Sequence, residues 1–198
     1  MARHAALALL NAQNYGEVEQ ASITDYLTGA YNHGYFQQQL RKECERATRA
    51  SDSLSLLIVD IDHFKNVNDL YGHLTGDQVL KAITARMKTE LRTSDQLARY
   101  GGEEFAVILP NTASYGAKNV VERLRCSVSA FPIWVENLSI NLTVSMGVAT
   151  FPGQAATPKE LISLADRAMY QAKAHGRNCI YVTGSENSQI DSMDDGAS

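Results

Sequence analysis

The chain has 198 residues, of which 44% are hydrophobic, and a formal net charge of −4 at pH 7. This length suits one domain with short extensions, and the apolar fraction is ordinary for a globular protein. The negative charge argues against a general nucleic-acid binder, and no apolar run approaches the roughly twenty residues of a membrane span. Three scattered cysteines (Cys44, Cys126 and Cys179) lack metal-ligand spacing, so we expect a cytoplasmic domain, of a parent protein that is either soluble or membrane-anchored.

Helical and extended patterns alternate through the first half of the chain. Residues 4–21 carry a weak apolar stripe, which predicts an N-terminal helix, with a frayed extension as the alternative. Phe36 to Arg49 is predicted to be a helix, and the apolar run from Leu54 to Ile61 a buried strand. Thr75, with a glutamine three residues later, indicates a capping box and a helix running to about Leu91.

The second half continues the alternation after a predicted hairpin. Thr157, followed by proline and by Glu160, is typical of a helix start, and that helix should run to Ala174. The other predicted elements are a helix from Ser114 to about Ala130 and strands at Leu142 to Ala149 and Ile180 to Val182. Strands that alternate with helices around one hairpin favour a central sheet covered by helices. Residues 184–198 are rich in Ser, Asp and Gly without Lys or Arg, which predicts a disordered acidic tail.

The hairpin contains the most informative residues, the pentad Gly101-Gly102-Glu103-Glu104-Phe105. Its two glycines separate two strand-like apolar runs, and they allow a phosphate or a base to approach the backbone. Side chains alternate along a strand, so the two glutamates should point in different directions and can have different roles. Paired carboxylates at such a turn suit a divalent metal and proton transfer; the alternative is a solvated hairpin tip.

A second acidic element lies about forty residues upstream, where Asp60 ends the predicted buried strand. A carboxylate there is costly to bury unless it binds a cation or forms a pair, although it could simply face solvent. Asp62 is predicted to cap the next helical segment, with Lys65 in its first turn and well placed to meet a phosphate. Together with the hairpin glutamates, Asp60 could form a site for hard cations.

Five ordered blocks of sequence resemble the GGDEF family, the bacterial diguanylate cyclases, in the variant whose signature is GGEEF. The resemblance covers roughly residues 23–183. The blocks are the pentad, Asp25-Tyr26-Leu27-Thr28-Gly29-Ala30-Tyr31-Asn32, the segment from Asp60 to Asp69, Tyr71-Gly72-His73-Leu74-Thr75-Gly76-Asp77, and the segment from Ala168 to Asn178. A lone GGEEF would be weak support, whereas five blocks in the family's order and spacing are specific.

The resemblance implies an α+β fold with the palm-like, ferredoxin-type βαββαβ core of nucleotide cyclases. Its central, mainly antiparallel sheet would be covered by helices and would carry the signature hairpin. Residues 1–22 would be the stub of a signalling stalk that joins an upstream sensor. The implied activity is condensation of two GTP molecules into cyclic di-GMP with release of two pyrophosphates. Each subunit would hold one GTP, so catalysis would require a homodimer.

The family's functional residues map onto matching positions of this chain. The resemblance implies two Mg²⁺ or Mn²⁺ ions per half-site, held by Asp60, the backbone carbonyl of Ile61, and Glu104. Glu103 would assist deprotonation of the attacking hydroxyl or contact the second metal. The residues implied to bind substrate are Phe64, Lys65, Asn68, Asp77, Gly101, Gly102, Lys173 and Arg177. Asn68 and Asp77 would read the guanine edge, and Lys65, Lys173 and Arg177 would bind the triphosphate.

An R-x-x-D set, Arg92 to Asp95, resembles the family's inhibitory site for product because it lies at the family's distance before Gly101. Arg123 would be a second arginine of that site, and Arg46 could contribute from a neighbouring protomer. Guanidinium groups can pair with phosphate and stack on guanine. The alternative is an ordinary surface arginine and a turn aspartate.

Three other functions remain open at this point. The chain could be a catalytically weak module that senses GTP or cyclic di-GMP, although the carboxylates of the signature are all present. It could also be a cyclase with a different product, although Asp77 argues against adenine. A purely structural protein would leave the five blocks unexplained.

Overall fold

The computed structural model describes residues 23–184 and 189–190. The predicted N-terminal helix over residues 4–21 lies outside the described residues, as does most of the predicted acidic tail. Among the described residues, no helix is both long and apolar enough to cross a membrane.

The described residues form five helices and eight strands. The helices are α1 His33–Ala50, α2 Phe64–Tyr71, α3 His73–Thr89, α4 Ser114–Ser129 and α5 Pro158–Ala174. The strands are β1 Leu54–Ile61, β2 Gln96–Arg99, β3 Glu104–Leu109, β4 Ile133–Val135, β5 Leu138–Ile140, β6 Val144–Phe151, β7 Ile180–Val182 and β8 Gln189–Ile190.

The main sheet has the strand order β2-β3-β1-β6-β7-β8. β1 pairs antiparallel with both β3 and β6, and β2 pairs antiparallel with β3. The first four strands of this order form a ferredoxin-like core. Along the chain the core elements follow the order β1, α3, β2, β3, α4 and β6, which is the βαββαβ pattern. β7 adds in parallel beside β6, and β4 and β5 form a separate hairpin. The predicted fold is therefore confirmed.

The central strand β1 is buried along its whole length because helices cover both faces of the sheet. Successive side chains of a strand point to opposite faces, and β1 divides its apolar residues in this way. Leu57 and Val59 join the core beneath α2, α3 and α4. Leu56 and Ile58 join the core beneath α1 and α5. The apolar run of β1 thus reflects burial on two sides, as the sequence predicted.

Helix α5 packs unusually close to β6 at Gly147. A Cβ at this position would overlap the carbonyl oxygen of Ala165 and the amide nitrogen of Met169, both in the backbone of α5. Only glycine allows this approach. The contact fixes the second half of α5 against the sheet, and Lys173 follows one turn after Met169.

Two predicted helix starts are wrong. Asp62 does not cap α2: the cap position is His63, in the left-handed conformation, and no side chain caps the helix there. Thr75 does not open a capping box either, because α3 begins at His73, after Gly72. The Thr75 hydroxyl instead donates to the carbonyl oxygen of Tyr71, one turn earlier. Both errors arise because a short polar side chain near a helix start need not cap the helix. It can instead bond to a carbonyl oxygen inside the helix or to a distant segment, and the tertiary structure decides which.

The other element predictions hold with small shifts. α1 begins three residues earlier than predicted, since Asn32 caps it by accepting a hydrogen bond from the Tyr35 amide. β6 is displaced by two residues from the predicted strand. Thr157 caps α5 as predicted, and its hydroxyl accepts from the Glu160 amide. The Glu160 carboxylate reaches back to the amide of Ala156.

Candidate active site

The register of the sheet brings the two acidic elements together. Asp60, near the end of β1, lies directly opposite Glu104, the first residue of β3. The link continues one residue further, where the amide of Ile61 donates to the carbonyl oxygen of Glu103 at 3.4 Å. Asp60 is only 4% exposed, whereas Glu103 and Glu104 are half-buried. The predicted convergence of a strand-end carboxylate with the hairpin glutamates is therefore present in the fold.

The hairpin turn is shaped to accommodate the Glu104 carboxylate. The amides of Tyr100 and Gly101 both donate to the carbonyl oxygen of Glu104, at 2.8 and 3.1 Å. A Cβ at Gly101 would lie 2.6 Å from Glu104 Oε2, so a larger residue would displace that carboxylate. A Cβ at Gly102 would meet nothing within 4 Å, and this residue is exposed. The turn is therefore open for a ligand at Gly102 and closely packed at Gly101.

Lys173 partly neutralises this acidic site, because its Nζ lies 2.7 Å from Asp60 Oδ2. Burial raises the pKa of Asp60, and the hydrogen bond and charge of Lys173 oppose that rise. Burial also raises the pKa of Glu103 and of Glu104, and the negative charge of Asp60 adds to both shifts. Carboxylates whose ionised forms are disfavoured in this way would be stabilised by a nearby cation.

The donor set fits a magnesium-type cation. In the described part of the chain, no three His, Cys, Asp or Glu side chains form a complete ligand set. Mg²⁺ does not require one, since it is commonly held by one or two carboxylates, with water and substrate phosphates as the other ligands. Asp60 and Glu104 pair across the sheet, and the backbone carbonyl of Ile61 follows Asp60 in β1. This donor set matches that pattern.

Of the three predicted phosphate ligands, one contacts the acidic pair and a second acts on it electrostatically. Lys173 contacts Asp60 directly, and the positive charge of Arg177 also opposes the rise in the Asp60 pKa. Arg177 follows α5 and has a left-handed backbone, with φ of 65°. Lys65 is exposed in the first turn of α2, close in sequence to the end of β1.

The residues predicted to read the base converge between α2 and α3. A Cβ at Gly76 would overlap Asn68 Oδ1 and would lie 3.2 Å from the ring of Phe64. Both side chains of α2 therefore pack against α3 at the residue that precedes Asp77. Phe64 is buried, whereas Asn68 and Asp77 are half-buried.

The predicted inhibitory residues fall into two groups. Arg46, Arg92 and Asp95 border one cavity of about 450 Å³ within a single chain, so Arg46 reaches the cavity without a neighbouring protomer. The amide of Arg92 donates to Asp95 Oδ2 at 2.9 Å, which fixes the turn. Arg123 does not line this cavity; its guanidinium contacts Glu90, with Nη2 donating to the backbone carbonyl at 2.8 Å.

Sequence reasoning missed Arg99, which ties the turn to the N-terminal segment of the domain. Its Nη2 donates to the carbonyl oxygen of Gly102 at 2.7 Å, and its Nη1 contacts Asp25 Oδ1 at 3.2 Å. Asp25 also accepts hydrogen bonds from the amide and hydroxyl of Thr28. The partners are 74 residues apart, and no local pattern reveals such a contact.

This contact makes stability depend on pH. Burial opposes ionisation of Asp25, but the hydrogen bonds from Thr28 and the charge of Arg99 together hold its pKa below the usual range. A lowered carboxyl pKa stabilises the fold above the pKa of the unfolded chain, and this contribution is lost as pH falls through the folded-state pKa. We expect Asp25→Asn to reduce the free energy of unfolding by about 1 to 2 kcal/mol near neutral pH.

Urea unfolding measured between about pH 7 and about pH 3 checks this expectation. The difference between Asp25→Asn and the native chain should shrink as the pH falls. Asp52→Asn is the matched control, because Asp52 is exposed and its side chain accepts from the amide of its sequence neighbour Ser53. A difference that is the same at every pH would show that the charge of Asp25 is unimportant.

The fold and the paired carboxylates define an α+β domain of ferredoxin-like topology with an acidic site at one end of its central strands. Residues 22–179 match the family profile described as "Diguanylate cyclase, GGDEF domain". The chain therefore belongs to the GGDEF domain family, as the sequence blocks predicted.

Several relatives agree with this assignment. The response regulator PleD of Caulobacter vibrioides is 43% identical over 163 residues, which cover 81% of this chain and 36% of PleD. The chain thus spans about a third of that relative's length. The structure of the diguanylate cyclase SiaD of Pseudomonas aeruginosa, in complex with its activator SiaC, is 36% identical with a TM-score of 0.78, covering 91% of this chain and 70% of SiaD. The structure of the coiled coil and GGDEF domain of DgcB from Caulobacter crescentus, in complex with c-di-GMP, is 31% identical with a TM-score of 0.77. The match covers 91% of this chain and 96% of the DgcB chain.

Proposed function

We propose that this chain is a diguanylate cyclase, which joins two GTP molecules into cyclic di-GMP and releases two pyrophosphates. The observation that carries the proposal is the pairing of Asp60 with Glu104 across β1 and β3, with Lys173 beside them. The relative SiaD supports the proposal, because it is a diguanylate cyclase of the same fold. The identification of the reaction rests on the acidic pair and the family together.

In the proposed reaction, the 3′-hydroxyl of each GTP attacks the α-phosphorus of the other, and pyrophosphate leaves. Phosphoryl transfer requires positioning and charge neutralisation more than covalent chemistry. Two Mg²⁺ or Mn²⁺ ions, when bound, would neutralise phosphate charge and lower the pKa of the attacking hydroxyl. Asp60, Glu104 and the Ile61 carbonyl would hold them, and Glu103 would accept the hydroxyl proton or contact the second ion.

The cationic side chains would bind the triphosphate. Lys173 Nζ lies 2.7 Å from Asp60 Oδ2. Binding of a cation by Asp60 would release the Lys173 ammonium group for the phosphates. Arg177, beside it, offers a fork of donors that matches phosphate oxygens, and Lys65 adds charge from α2.

Recognition of guanine is proposed for Asn68 of α2 and Asp77 of α3, near the point where the two helices pack together at Gly76. Guanine presents a ring N–H and an exocyclic amine, and the Asp77 carboxylate can accept hydrogen bonds from both. Adenine lacks this pair of donors, so a bound adenine would leave the carboxylate unpaired at a cost in free energy. Asn68, packed against Gly76, would contact the same base.

The reaction also requires two copies of the domain. One site binds one GTP, and the product contains two guanosines joined by two phosphodiester bonds. We therefore propose a homodimer with two-fold symmetry, in which the two acidic pairs face each other. The solved structure of the relative DgcB includes a coiled coil as well as its GGDEF domain. Residues 1–22 of this chain are proposed as the stub of the signalling stalk that sets this geometry.

Product inhibition is proposed for the cavity that Arg46, Arg92 and Asp95 border. Cyclic di-GMP offers phosphates for the guanidinium groups and guanine donors for the carboxylate. The complex of DgcB with c-di-GMP supports binding of product by this fold.

We expect Arg92→Ala to raise the cyclic di-GMP concentration that halves activity by about 10-fold or more, since a charge-assisted hydrogen bond contributes about 1.5 to 3 kcal/mol. Initial rates at increasing product concentrations measure this change. Arg41→Ala is the matched control, because Arg41 is an exposed arginine of α1 that does not line the cavity. Unchanged inhibition in Arg92→Ala would refute this site.

The test of the proposed activity is incubation of the purified chain with GTP and Mg²⁺, followed by chromatographic separation of the products. Cyclic di-GMP should form, and the rate per chain should rise with protein concentration if a dimer is required. Tight binding of GTP or cyclic di-GMP without turnover, even at high concentration, would instead indicate a sensing module.

A further inference from the structure

The turn after α5 has an uncommon backbone. Gly176, Arg177 and Asn178 all have positive φ, at 105°, 65° and 46°. Non-glycine residues in this region cost about 1 kcal/mol or more each, and such a conformation persists only when its surroundings hold it. The residue in the middle of the turn is Arg177, whose charge acts on Asp60. The structure shows two groups that hold the turn, one on each side.

The first group is the Asp62 carboxylate, which is only 2% exposed. Its Oδ2 accepts from the backbone amide of Asn178 at 3.0 Å and from the hydroxyl of Thr143 at 2.6 Å. Its Oδ1 accepts from the hydroxyl of Ser145 at 2.6 Å. Asp62 lies two residues after Asp60, so the segment that carries Asp60 also anchors the turn that carries Arg177.

The second group is the Arg125 guanidinium of α4, which is 5% exposed. Its Nη1 donates to Asn178 Oδ1 at 2.9 Å. Its Nε and Nη2 donate to both carboxylate oxygens of Glu122, at 3.0 and 2.6 Å. A bidentate pair of this kind fixes the plane of the guanidinium, so the Nη1 hydrogens are held toward Asn178, where Nη1 also lies 3.5 Å from the backbone carbonyl oxygen.

We propose that Asp62, Asn178 and Arg125 are positioning residues that hold the turn so that Arg177 meets the triphosphate of a bound nucleotide. None of the three needs to touch the ligand. Asn178 joins the two sides, because its backbone amide binds Asp62 and its side chain binds Arg125. The inference rests on the proposed function in one respect, namely that the ligand is a nucleoside triphosphate.

Asn178 allows a sharp test, since two substitutions separate its roles. Asn178→Gly tolerates the positive φ and keeps the amide that binds Asp62. It removes the side-chain acceptor for Arg125 and leaves the backbone carbonyl oxygen of residue 178, which lies 3.5 Å from Arg125 Nη1. Asn178→Asp also tolerates this backbone and restores an acceptor, now charged, opposite Arg125. The two variants therefore differ in the contact to Arg125 while both remain compatible with the turn.

Binding of a non-hydrolysable GTP analogue with Mg²⁺ is measured by titration calorimetry, and binding of guanosine by competition. We expect Asn178→Gly to weaken binding of the analogue by about 10-fold, the loss typical of one displaced phosphate contact. Guanosine affinity should stay within about twofold, and Asn178→Asp should recover most of the lost affinity. In a turnover assay the loss should fall on KM more than on kcat.

Arg125→Lys provides a second variant, because lysine can pair with Glu122 but lacks the fork that also reaches Asn178. Arg125→Lys should weaken binding of the GTP analogue by the same factor and leave the affinity for guanosine unchanged. The inference is overturned if Asn178→Gly binds the analogue as tightly as the native chain, or if guanosine affinity falls equally. A native chain that binds the analogue but forms no product refutes the proposed enzyme and leaves this test valid. A native chain with no phosphate-dependent binding overturns both.

Discussion

Glu104→Gln should reduce the rate of cyclic di-GMP formation by about 10³-fold or more, because a metal-bound transition state loses several kcal/mol of charge stabilisation when a ligand carboxylate is neutralised. Glutamine keeps the size of the side chain, so the packing of Gly101 over Oε2 is preserved. The rate is measured by chromatography of the products from GTP and Mg²⁺. Activity within about tenfold of the native chain would exclude Glu104 as a metal ligand.

A measurement of stability shows whether Glu104→Gln loses activity because it unfolds. Burial and the charge of Asp60 raise the pKa of Glu104. A raised carboxyl pKa means that the folded chain favours the protonated form of Glu104. Protonated Glu104 therefore stabilises the fold at low pH, and this contribution to the free energy of unfolding is lost as pH rises through the folded-state pKa. At neutral pH without metal, Glu104→Gln should therefore be at least as stable to urea as the native chain. Glu45→Gln, on the exposed surface of α1, is the matched control and should change neither activity nor stability.

The sequence predicted those parts of the fold that depend on local patterns. The apolar run of β1, the glycine turn of the hairpin and the Thr157 cap are each determined by neighbouring residues, and all three are present. The pairing of Asp60 with Glu104 is not local. It follows from the strand order, which the family resemblance implied and which the register of β1 with β3 shows.

Asp62 illustrates why local reasoning failed elsewhere. An aspartate just before a helix is a plausible cap, and its sequence neighbours give no reason to reject that role. Its actual partners, Thr143, Ser145 and Asn178, lie 81 to 116 residues away in sequence. The Asp62 carboxylate therefore forms tertiary hydrogen bonds and does not cap the helix. Arg99 was missed for the same reason, since its partner Asp25 lies on a segment that only the fold brings close.

The cavity beside Arg92 shows a further limit. Spacing relative to Gly101 indicated Arg92 and Asp95, and both border one cavity. Spacing does not indicate how helices α1 and α4 present their arginines. Arg46 of α1 lines that cavity, whereas Arg123 of α4 contacts Glu90. Product binding at this cavity remains a prediction that the inhibition assay decides.

Asp77→Asn should lower kcat/KM for GTP by about 10²-fold, because it removes the negative charge and replaces one of the two acceptor oxygens with an NH₂ group, which faces a guanine donor with another donor. The preference for GTP over ATP should narrow at the same time, since the penalty for an unpaired carboxylate disappears with the charge. A nucleotide panel with chromatography of the products measures both effects and also reveals a cyclase with a different product.

The control for Asp77→Asn is Asp69→Asn, which removes an exposed carboxylate from the neighbouring helix α2. It should leave the GTP to ATP ratio unchanged. The two variants carry the same change of charge, so a loss confined to Asp77→Asn reflects contact with the base and not the net charge of the domain. An unchanged ratio in Asp77→Asn would instead mean that guanine is selected elsewhere, with Asn68, held against Gly76, as the residue to test next.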